Sequence, residues 1–216
     1  MSKLGRFIVV EGLEGAGKST AVATIKQFLT EYVGDFVATR EPGGTVVGEA
    51  VRSLIKHSPP GESLDPRAEL LLLYASRVQL IECVIKPALK KGQWVLADRF
   101  ELSTFAYQGG GRGLDVQMIK QLSSFCLEGF APDLILFLDV SPTTGLHRVL
   151  SRGHSDRIEQ EPETFFTRVH DAYYAKIKTM EQVVVINANQ PESIVQQAIV
   201  NVLMDYQLKQ ERSVEL

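Results

Sequence analysis

The sequence predicts an α/β fold, with a parallel sheet of five strands covered by helices on both faces. Three observations lead there. Five short apolar runs of strand length are spaced along the chain, and segments of helical periodicity lie between them. The first run passes directly into a glycine-rich turn and then a helix. Strands that alternate with helices pair in parallel, because each connection crosses back over the sheet. A ligand is then expected beyond the carboxyl ends of the strands.

The elements follow in order. Phe7-Ile8-Val9-Val10 is a β-branched run ending at Glu11-Gly12, and reads as a buried strand. Lys18 to Glu31 follows as a helix with Val22, Ile25, Phe28 and Leu29 on one face. Phe36 to Thr39 is the second strand, closed by Pro42-Gly43-Gly44. A helix over Gly48 to Ile55 is broken by Ser58-Pro59-Pro60-Gly61. A long helix from Pro66 to Leu89 carries apolar residues on more than one face, among them Leu70 to Leu73, Ala75, Val78, Ile81 and Ile85. That width predicts burial on two sides, one against the sheet and the other against a second subunit.

Trp94 to Ala97 is the third strand and Leu134 to Leu138 the fourth, with a helix from Asp115 to Leu127 between them. Tyr107 to Gly113 holds too much glycine for a helix and is expected as a loop that lets Tyr107 and Gln108 approach a flat base. Another helix starts near Pro142 and is interrupted by the polar stretch from Ser151 to Gln160. A helix from Glu163 to Thr179, a strand over Val183 to Ile186 and a helix from Pro191 to Met204 complete the fold. The polar tail from Lys209 to Ser213 is expected to fray.

The 216 residues suit one domain, with the segment at about 151–160 as a short lid. Hydrophobic residues at 44% and charged residues at 23% are ordinary for a globular chain. A net charge of −3 gives no basic field for a nucleic-acid polymer, so anion binding must come from local clusters. Cys83 and Cys126 lie far apart with no metal spacing, which predicts inert core thiols in a reduced, cytoplasmic protein. The apolar run after Lys3 and Arg6 is too short for a signal segment, and no stretch reaches the length of a membrane span.

Gly12-Leu13-Glu14-Gly15-Ala16-Gly17-Lys18-Ser19 is a complete GxxxxGK[ST] pattern. Such a loop cradles phosphates with backbone N–H groups, and the helix that follows adds its N-terminal field. Lys18 reaches the β- and γ-phosphates, and the Ser19 hydroxyl ligates Mg²⁺. The acidic residue expected near the metal is Asp98 or Asp139, each closing an apolar run. No Asn-Lys-x-Asp guanine signature is present, which argues against a GTPase switch.

Arginines stand where this fold places ligands. Arg40 follows the second strand, Arg99 the third, and Arg148, Arg152 and Arg157 surround the polar break after the fourth. Phosphoryl transfer between two nucleotides needs such electrostatic clamping. Arg77 shares a helix face with Leu70, Leu73 or Tyr74, and Ile81, so its charge needs an anion. The candidates are an acceptor in the pocket or a structural carboxylate, Glu69 or Glu82.

Glu11 to Ser19, Thr39-Arg-Glu-Pro-Gly-Gly-Thr45, Asp98-Arg99, Tyr107 to Gly113, and Arg152-Gly with Asp156-Arg157 together resemble the bacterial thymidylate kinase family. The resemblance implies transfer of the ATP γ-phosphate to dTMP, with Mg²⁺, in a homodimer packed through helices. It implies that Gly12 to Ser19 and Arg148 hold ATP, with Arg148 near the adenine. It implies catalytic roles for Lys18, Glu14, Arg99 and the lid arginine Arg152, with Arg157 beside it. Arg40 and Arg99 would hold the dTMP phosphate, Glu14 the sugar region or the metal shell, and Arg77 and Gln108 the thymine edge. Leu73, Ser103 and Tyr107 would complete the dTMP site. Leu73 stands where the family commonly carries a stacking phenylalanine, so aliphatic packing is expected there. A kinase of another nucleoside monophosphate or deoxynucleoside is the alternative nearby, and a P-loop ATPase or regulator the alternative of another class.

Overall fold

The computed structural model describes residues 5–57, 61–151, 153 and 156–214, with side chains up to position 209. Its strands are β1 (Phe7–Gly12), β2 (Phe36–Arg40), β3 (Trp94–Asp98), β4 (Leu134–Asp139) and β5 (Val183–Asn187). They form one sheet in the order β2-β3-β1-β4-β5, and every pairing is parallel. Phe7 to Val10 of the central strand have no exposed surface. A strand buried on both faces can be apolar at every position, which is why β1 reads as an unbroken run.

Helices α1 (Lys18–Tyr32), α2 (Val46–Lys56), α3 (Pro66–Leu80), α4 (Lys86–Lys90) and α5 (Glu101–Thr104) occupy the first half. Helices α6 (Val116–Leu127), α7 (Pro142–Leu150), α8 (Glu163–Ile177) and α9 (Glu192–Val214) occupy the second. α1 packs on α9 and touches β1, β2 and β3, while α5 and α8 pack together, with α5 on β1. Side chains start several helices: Thr45, Asp65, Asp115 and Ser141 each accept a bond from a first-turn N–H. The register brings Gly12, Arg40, Asp98 and Asp139 to the same edge of the sheet.

The structure departs from the sequence reading in five places. The long helix is interrupted after α3 by a wide turn over Ile81–Ile85, where the Lys86 N–H bonds to Ile81 O, five residues back. Pro87 just beyond has no N–H of its own to give, and the widened turn accommodates it. Residues Phe105–Gly111 form a wide π-type helix rather than a loop. Glycine there serves packing: a Cβ on Gly110 would lie 2.4 Å from Ala172 Cβ, so its absence lets this turn lie directly on α8. α9 continues through 209–213 instead of fraying, since Lys, Gln, Glu and Arg all favour a helix.

The cysteines are free, but Cys83 is exposed and Cys126 only half-buried, so they are not core thiols. The wide turn carries Cys83 on the side away from the core residues Ile81 and Ile85. The wide apolar arc of α3 also finds partners within the chain. Leu73 packs with Val51 and Ile55 of α2, while Leu70 and Tyr74 join the main core. Leu71 is left 56% exposed. Among the described residues no helix is long and apolar enough to cross a membrane.

Candidate active site

The phosphate loop joins β1 to α1. Gly15 holds φ at 73°, and a Cβ there would meet the Gly145 carbonyl oxygen at 2.1 Å, so only glycine closes this turn. Lys18 Nζ bonds back to the carbonyls of Gly12 at 3.1 Å and Leu13 at 2.7 Å. Burial, followed by the nearby charge of Arg99, lowers its pKa to about 8, although Glu14, Asp98 and Glu11 pull the other way.

Arg99 is held from many sides. It sits in the left-handed region at φ 68°, an uncommon choice for a residue with a side chain. Its N–H bonds to Val10 O, which ties the turn after β3 to the end of β1. Nη1 donates to Gly12 O at 2.9 Å, Ser103 Oγ at 3.0 Å and Tyr173 OH at 3.2 Å. Nη2 donates to Glu14 Oε1 at 2.6 Å and Tyr107 OH at 3.3 Å. Glu14 also accepts from Tyr107 OH. Burial pushes the Glu14 carboxyl up, but Arg99 and Lys18, with the Tyr107 bond, outweigh it and the net shift is downward.

Beneath this layer lies Glu11, with no exposed surface. Its Oε1 accepts from the backbone N–H groups of Phe100 and Ser103, and its Oε2 from Ser103 Oγ at 2.6 Å and Tyr173 OH at 2.9 Å. These bonds satisfy donors at the start of α5 that the short helix cannot satisfy itself. Burial raises the Glu11 pKa against the opposing pull of Arg99 and these hydrogen bonds.

Arg77 lies 2% exposed between the rings of Tyr74 and Phe100, 4.9 and 5.5 Å from its guanidinium carbon. Its Nε donates to Glu41 Oε2 at 2.7 Å and its Nη2 to Thr104 Oγ1 at 2.9 Å. Nη1 has no partner. The structural carboxylate is therefore Glu41, at the end of β2, and neither Glu69 nor Glu82. Glu69 instead receives Gln108, Arg112 and Arg157.

One cavity at the carboxyl ends of the strands gathers most of these groups. Glu14, Gly15, Gly17, Lys18 and Ser19 line it on one side, and Leu73, Arg77, Ser103, Thr104, Tyr107 and Gln108 on the other. Arg40, Arg52, Asp98, Arg99 and Phe100 also line it. Arg40 is half exposed and paired with Glu49 at 2.9 Å. Tyr74, beside Leu73, turns inward, with its hydroxyl on Glu101 and on the Ile119 carbonyl.

The two aspartates at strand ends are not equivalent. Asp139 commits one oxygen to His170 at 3.0 Å and the other to Tyr174 at 2.7 Å. Asp98 lines the cavity and keeps a buried Oδ1 without a partner. An orphaned carboxylate oxygen in the same cavity as Ser19 fits a hard divalent cation. Among the described residues no group of three or more His, Cys, Asp or Glu forms a metal cage. Mg²⁺, which keeps waters and binds substrate phosphates, suits so sparse a donor set.

Arg148 lies across the phosphate loop, its Nη1 on the carbonyls of Gly15 and Ala188, in a second cleft formed by Gly15, Gly17, Thr20, Ser151, Gln190 and Gln196 among others. Arg157 turns toward α2 and α3, bonding Ile55 O at 2.8 Å and Glu69. It does not line the cavity beside the phosphate loop, so in this conformation it is a tether between the segment after α7 and helices α2 and α3 rather than a phosphate clamp. Arg152 lies outside the described residues.

With this geometry, the likeness to known proteins becomes specific. The family described as thymidylate kinase matches residues 10–199. The chain belongs to the thymidylate kinase family. The thymidylate kinase of Legionella pneumophila (strain Corby) is 55% identical over 207 residues, covering 95% of this chain and 98% of that one. The enzyme of that name from Shewanella frigidimarina (strain NCIMB 400) is 52% identical, covering 86% of each. A crystal structure of thymidylate kinase from Ehrlichia chaffeensis aligns with a TM-score of 0.76 at 32% identity, over 92% of this chain and 98% of that one.

Within this member of the thymidylate kinase family, several cavity groups escape a sequence reading. Glu41, Arg52 and Thr104 line the cavity, and Glu11 and Tyr173 brace Arg99 from below. Glu11 did carry a signal, since it is a charged residue ending a strand that is otherwise wholly apolar. Tyr173 carried none, because an aromatic on an amphipathic helix reads as core.

Proposed function

We propose that the protein is a thymidylate kinase that transfers the γ-phosphate of ATP to dTMP, giving dTDP and ADP. The observation that carries this reading is the cavity that the phosphate loop shares with Arg77 and Gln108, two polar side chains built into an otherwise buried wall, with Arg77 Nη1 left without a partner there. A phosphate loop alone accounts for the donor, and only an acceptor with a polar planar edge accounts for the far wall. A P-loop regulator leaves that wall without a purpose.

In the reaction a phosphate oxygen of dTMP attacks the γ-phosphorus, and the bond to the β,γ-bridging oxygen breaks as ADP leaves. Backbone N–H groups of Gly12 to Ser19 and the ammonium of Lys18 stabilise the charge gathered on the transferring group. Mg²⁺, held through Ser19 and Asp98, would supply further neutralisation of the β- and γ-phosphates when bound. Arg99, braced by Glu14 and Tyr107, faces the acceptor phosphate, and Arg40 joins it from β2. Tyr107 and Ser103 flank the sugar region, and Leu73 packs on the base. Arg148 stands beside the cleft suited to adenine.

The segment at 151–160 serves as the lid of a single domain, with Arg152 reaching the transferring phosphoryl group when it closes. The pairing of copies through α3 and α6 is supported by Leu71, Met118 and Phe125, which are 56%, 56% and 81% exposed. The free cysteines agree with a cytoplasmic setting. A coupled ADP-release assay with Mg-ATP across dTMP, dUMP, dCMP, dGMP and dAMP tests the function. Turnover led by dTMP is expected. Preference for another acceptor removes the base-reading roles of Arg77 and Gln108, and indifference to every acceptor removes the kinase.

A further inference from the structure

Glu69 sits on α3 with no exposed surface, yet it touches neither phosphate loop nor open cavity. Its Oε1 accepts from Gln108 Nε2 at 2.7 Å and from Arg112 Nε at 3.5 Å, and its Oε2 accepts from Arg157 Nη2. The two guanidinium groups come from segments on either side of it in the fold, the end of the wide helix and the lid exit. They hold the carboxylate in place behind the cavity wall. Nothing in phosphoryl transfer itself requires a buried acid there.

A carboxylate accepts hydrogen bonds and never donates. Gln108 must therefore turn its NH₂ toward Glu69, because the flipped amide would set a carbonyl oxygen against a carboxylate. Its carbonyl oxygen then faces the other way. Gln108 is only 4% exposed, and its open side is the cavity it lines. The neighbouring reader has the opposite polarity. Arg77 spends Nε on Glu41 and Nη2 on Thr104, leaving Nη1 buried without a partner in a side chain that lines the same cavity. The wall thus offers one donor and one acceptor in a fixed arrangement.

We propose that Glu69 is the positioning residue that fixes the polarity of the Gln108 amide, and thereby makes the acceptor cavity select a keto-imide pyrimidine over an amino-pyrimidine. Thymine and uracil present an O4 acceptor beside an N3–H donor, which complements this wall. Cytosine presents an amino donor beside an N3 acceptor, so both pairings fail at once. Desolvated polar groups without partners are what make such a site discriminate strongly. The inference rests on the reading of the protein as a dTMP kinase.

The test compares kcat/KM for dTMP and for 5-methyl-dCMP, two acceptors that differ only along this edge. The wild-type protein is expected to prefer dTMP strongly. In Glu69→Gln the residue behind Gln108 can donate as well as accept, both amide orientations become available, and the ratio should fall at least ~10-fold. The change should come mainly through a lower KM for 5-methyl-dCMP. Glu69→Asp keeps an acceptor-only carboxylate and should retain most of the ratio. Gln108→Met should lose the ratio as Glu69→Gln does, and the double variant should lose no more.

A Glu69→Gln protein that folds with an unchanged ratio overturns the proposal, because a purely structural acid affects both acceptors alike. Should that variant fail to fold, the wild-type side-chain amide spectrum decides. A Gln108 NH₂ proton shifted downfield by its carboxylate partner, and missing in Gln108→Met, supports the proposal; no such signal overturns it. A wild-type protein with no preference between the two acceptors defeats the dTMP reading itself, which is a different result.

Discussion

Glu41 and Arg77 meet at 2.7 Å with side chains 4% and 2% exposed, yet Glu41 Oε1 and Arg77 Nη1 are both left without a partner. Burial raises the Glu41 pKa from 4.5 to about 7, against the pull of Arg77, while Glu11 and Glu101 push it further up. A folded pKa above the unfolded one means that the native state binds the extra proton. That stability is fully present below 4.5 and is lost as pH rises through about 7. Glu41→Gln should therefore flatten the fall in unfolding free energy across this window. Urea unfolding of both proteins through the same pH range checks it, and parallel curves would remove Glu41 as the titrating group.

The same pair separates two roles of Arg77. In alkaline solution, well above the Glu41 pKa of about 7, Arg77→Met leaves a buried carboxylate uncompensated and should cost about 3–5 kcal/mol of stability. Adding Glu41→Gln removes that charge and should restore much of the loss. Binding behaves differently, since neither protein has the Nη1 donor. KM for dTMP should stay raised at least ~10-fold in both. Recovery of KM together with stability would make Arg77 a structural residue only.

Lys18 gives a pH dependence of the opposite sign. Its folded pKa of about 8 lies below the ordinary 10.5, so the folded protein holds that proton less tightly than the unfolded chain. The linked stability is present above 10.5 and lost as pH falls through about 8. The empty protein should accordingly gain stability between those values, and Lys18→Met should lack the gain. ATP recharges the site, so KM for ATP should climb as pH passes about 8. Lys18→Met should also lower kcat/KM by ~10²-fold or more, the scale for losing one donor at developing phosphoryl charge. A KM for ATP that is flat with pH would show that the ammonium is not the group that titrates.

Asp98 and Asp139 close neighbouring strand ends but should respond to mutation in opposite ways. Asp98→Asn should raise the Mg²⁺ concentration needed for half-maximal rate and cut kcat ~10²-fold, with little change in stability. Asp139→Asn disturbs the bonds to His170 and Tyr174 and should cost about 1–3 kcal/mol, with the Mg²⁺ dependence unchanged. Titrating each variant with Mg²⁺, beside a thermal melt, distinguishes them. The reverse pattern would move the metal to Asp139.

What the sequence showed and what it hid follow from the range of the interactions. β1 was legible because a strand buried on both faces can be apolar along most of its length, as Phe7 to Val10 are, and the ends of α1 and α6 fell within a few residues of where the pattern put them. The partner of Arg77 was not legible, because Glu41 is 36 positions away and spacing arguments reach only along one helix. The wide helix at Phe105–Gly111 is hidden from the sequence for a related reason. Each glycine costs a helix about 1 kcal/mol, and the sequence gives no sign that contact with α8 offsets this by using the missing side chains. Asp98 and Asp139 could not be separated until His170 and Tyr174, more than thirty positions downstream of Asp139, came into view.

The exposed apolar residues of α3 and α6 lead to the last prediction. Met118 and Phe125 lie seven positions apart on α6 and so share one face, and α6 packs beside α3, where Leu71 is exposed. Phe125 shows 81% of its surface, and with Met118 on the same face it gives α6 an exposed apolar stripe of the kind that marks an interaction surface. A second copy related by a two-fold axis would place the same patch against itself. Phe125→Glu would then bring two like charges into a desolvated contact, an arrangement costly enough to separate the copies. Sedimentation equilibrium should show a dimer for the wild-type protein and a monomer for the variant. A wild-type monomer, or a variant that stays dimeric, would leave these side chains without that role.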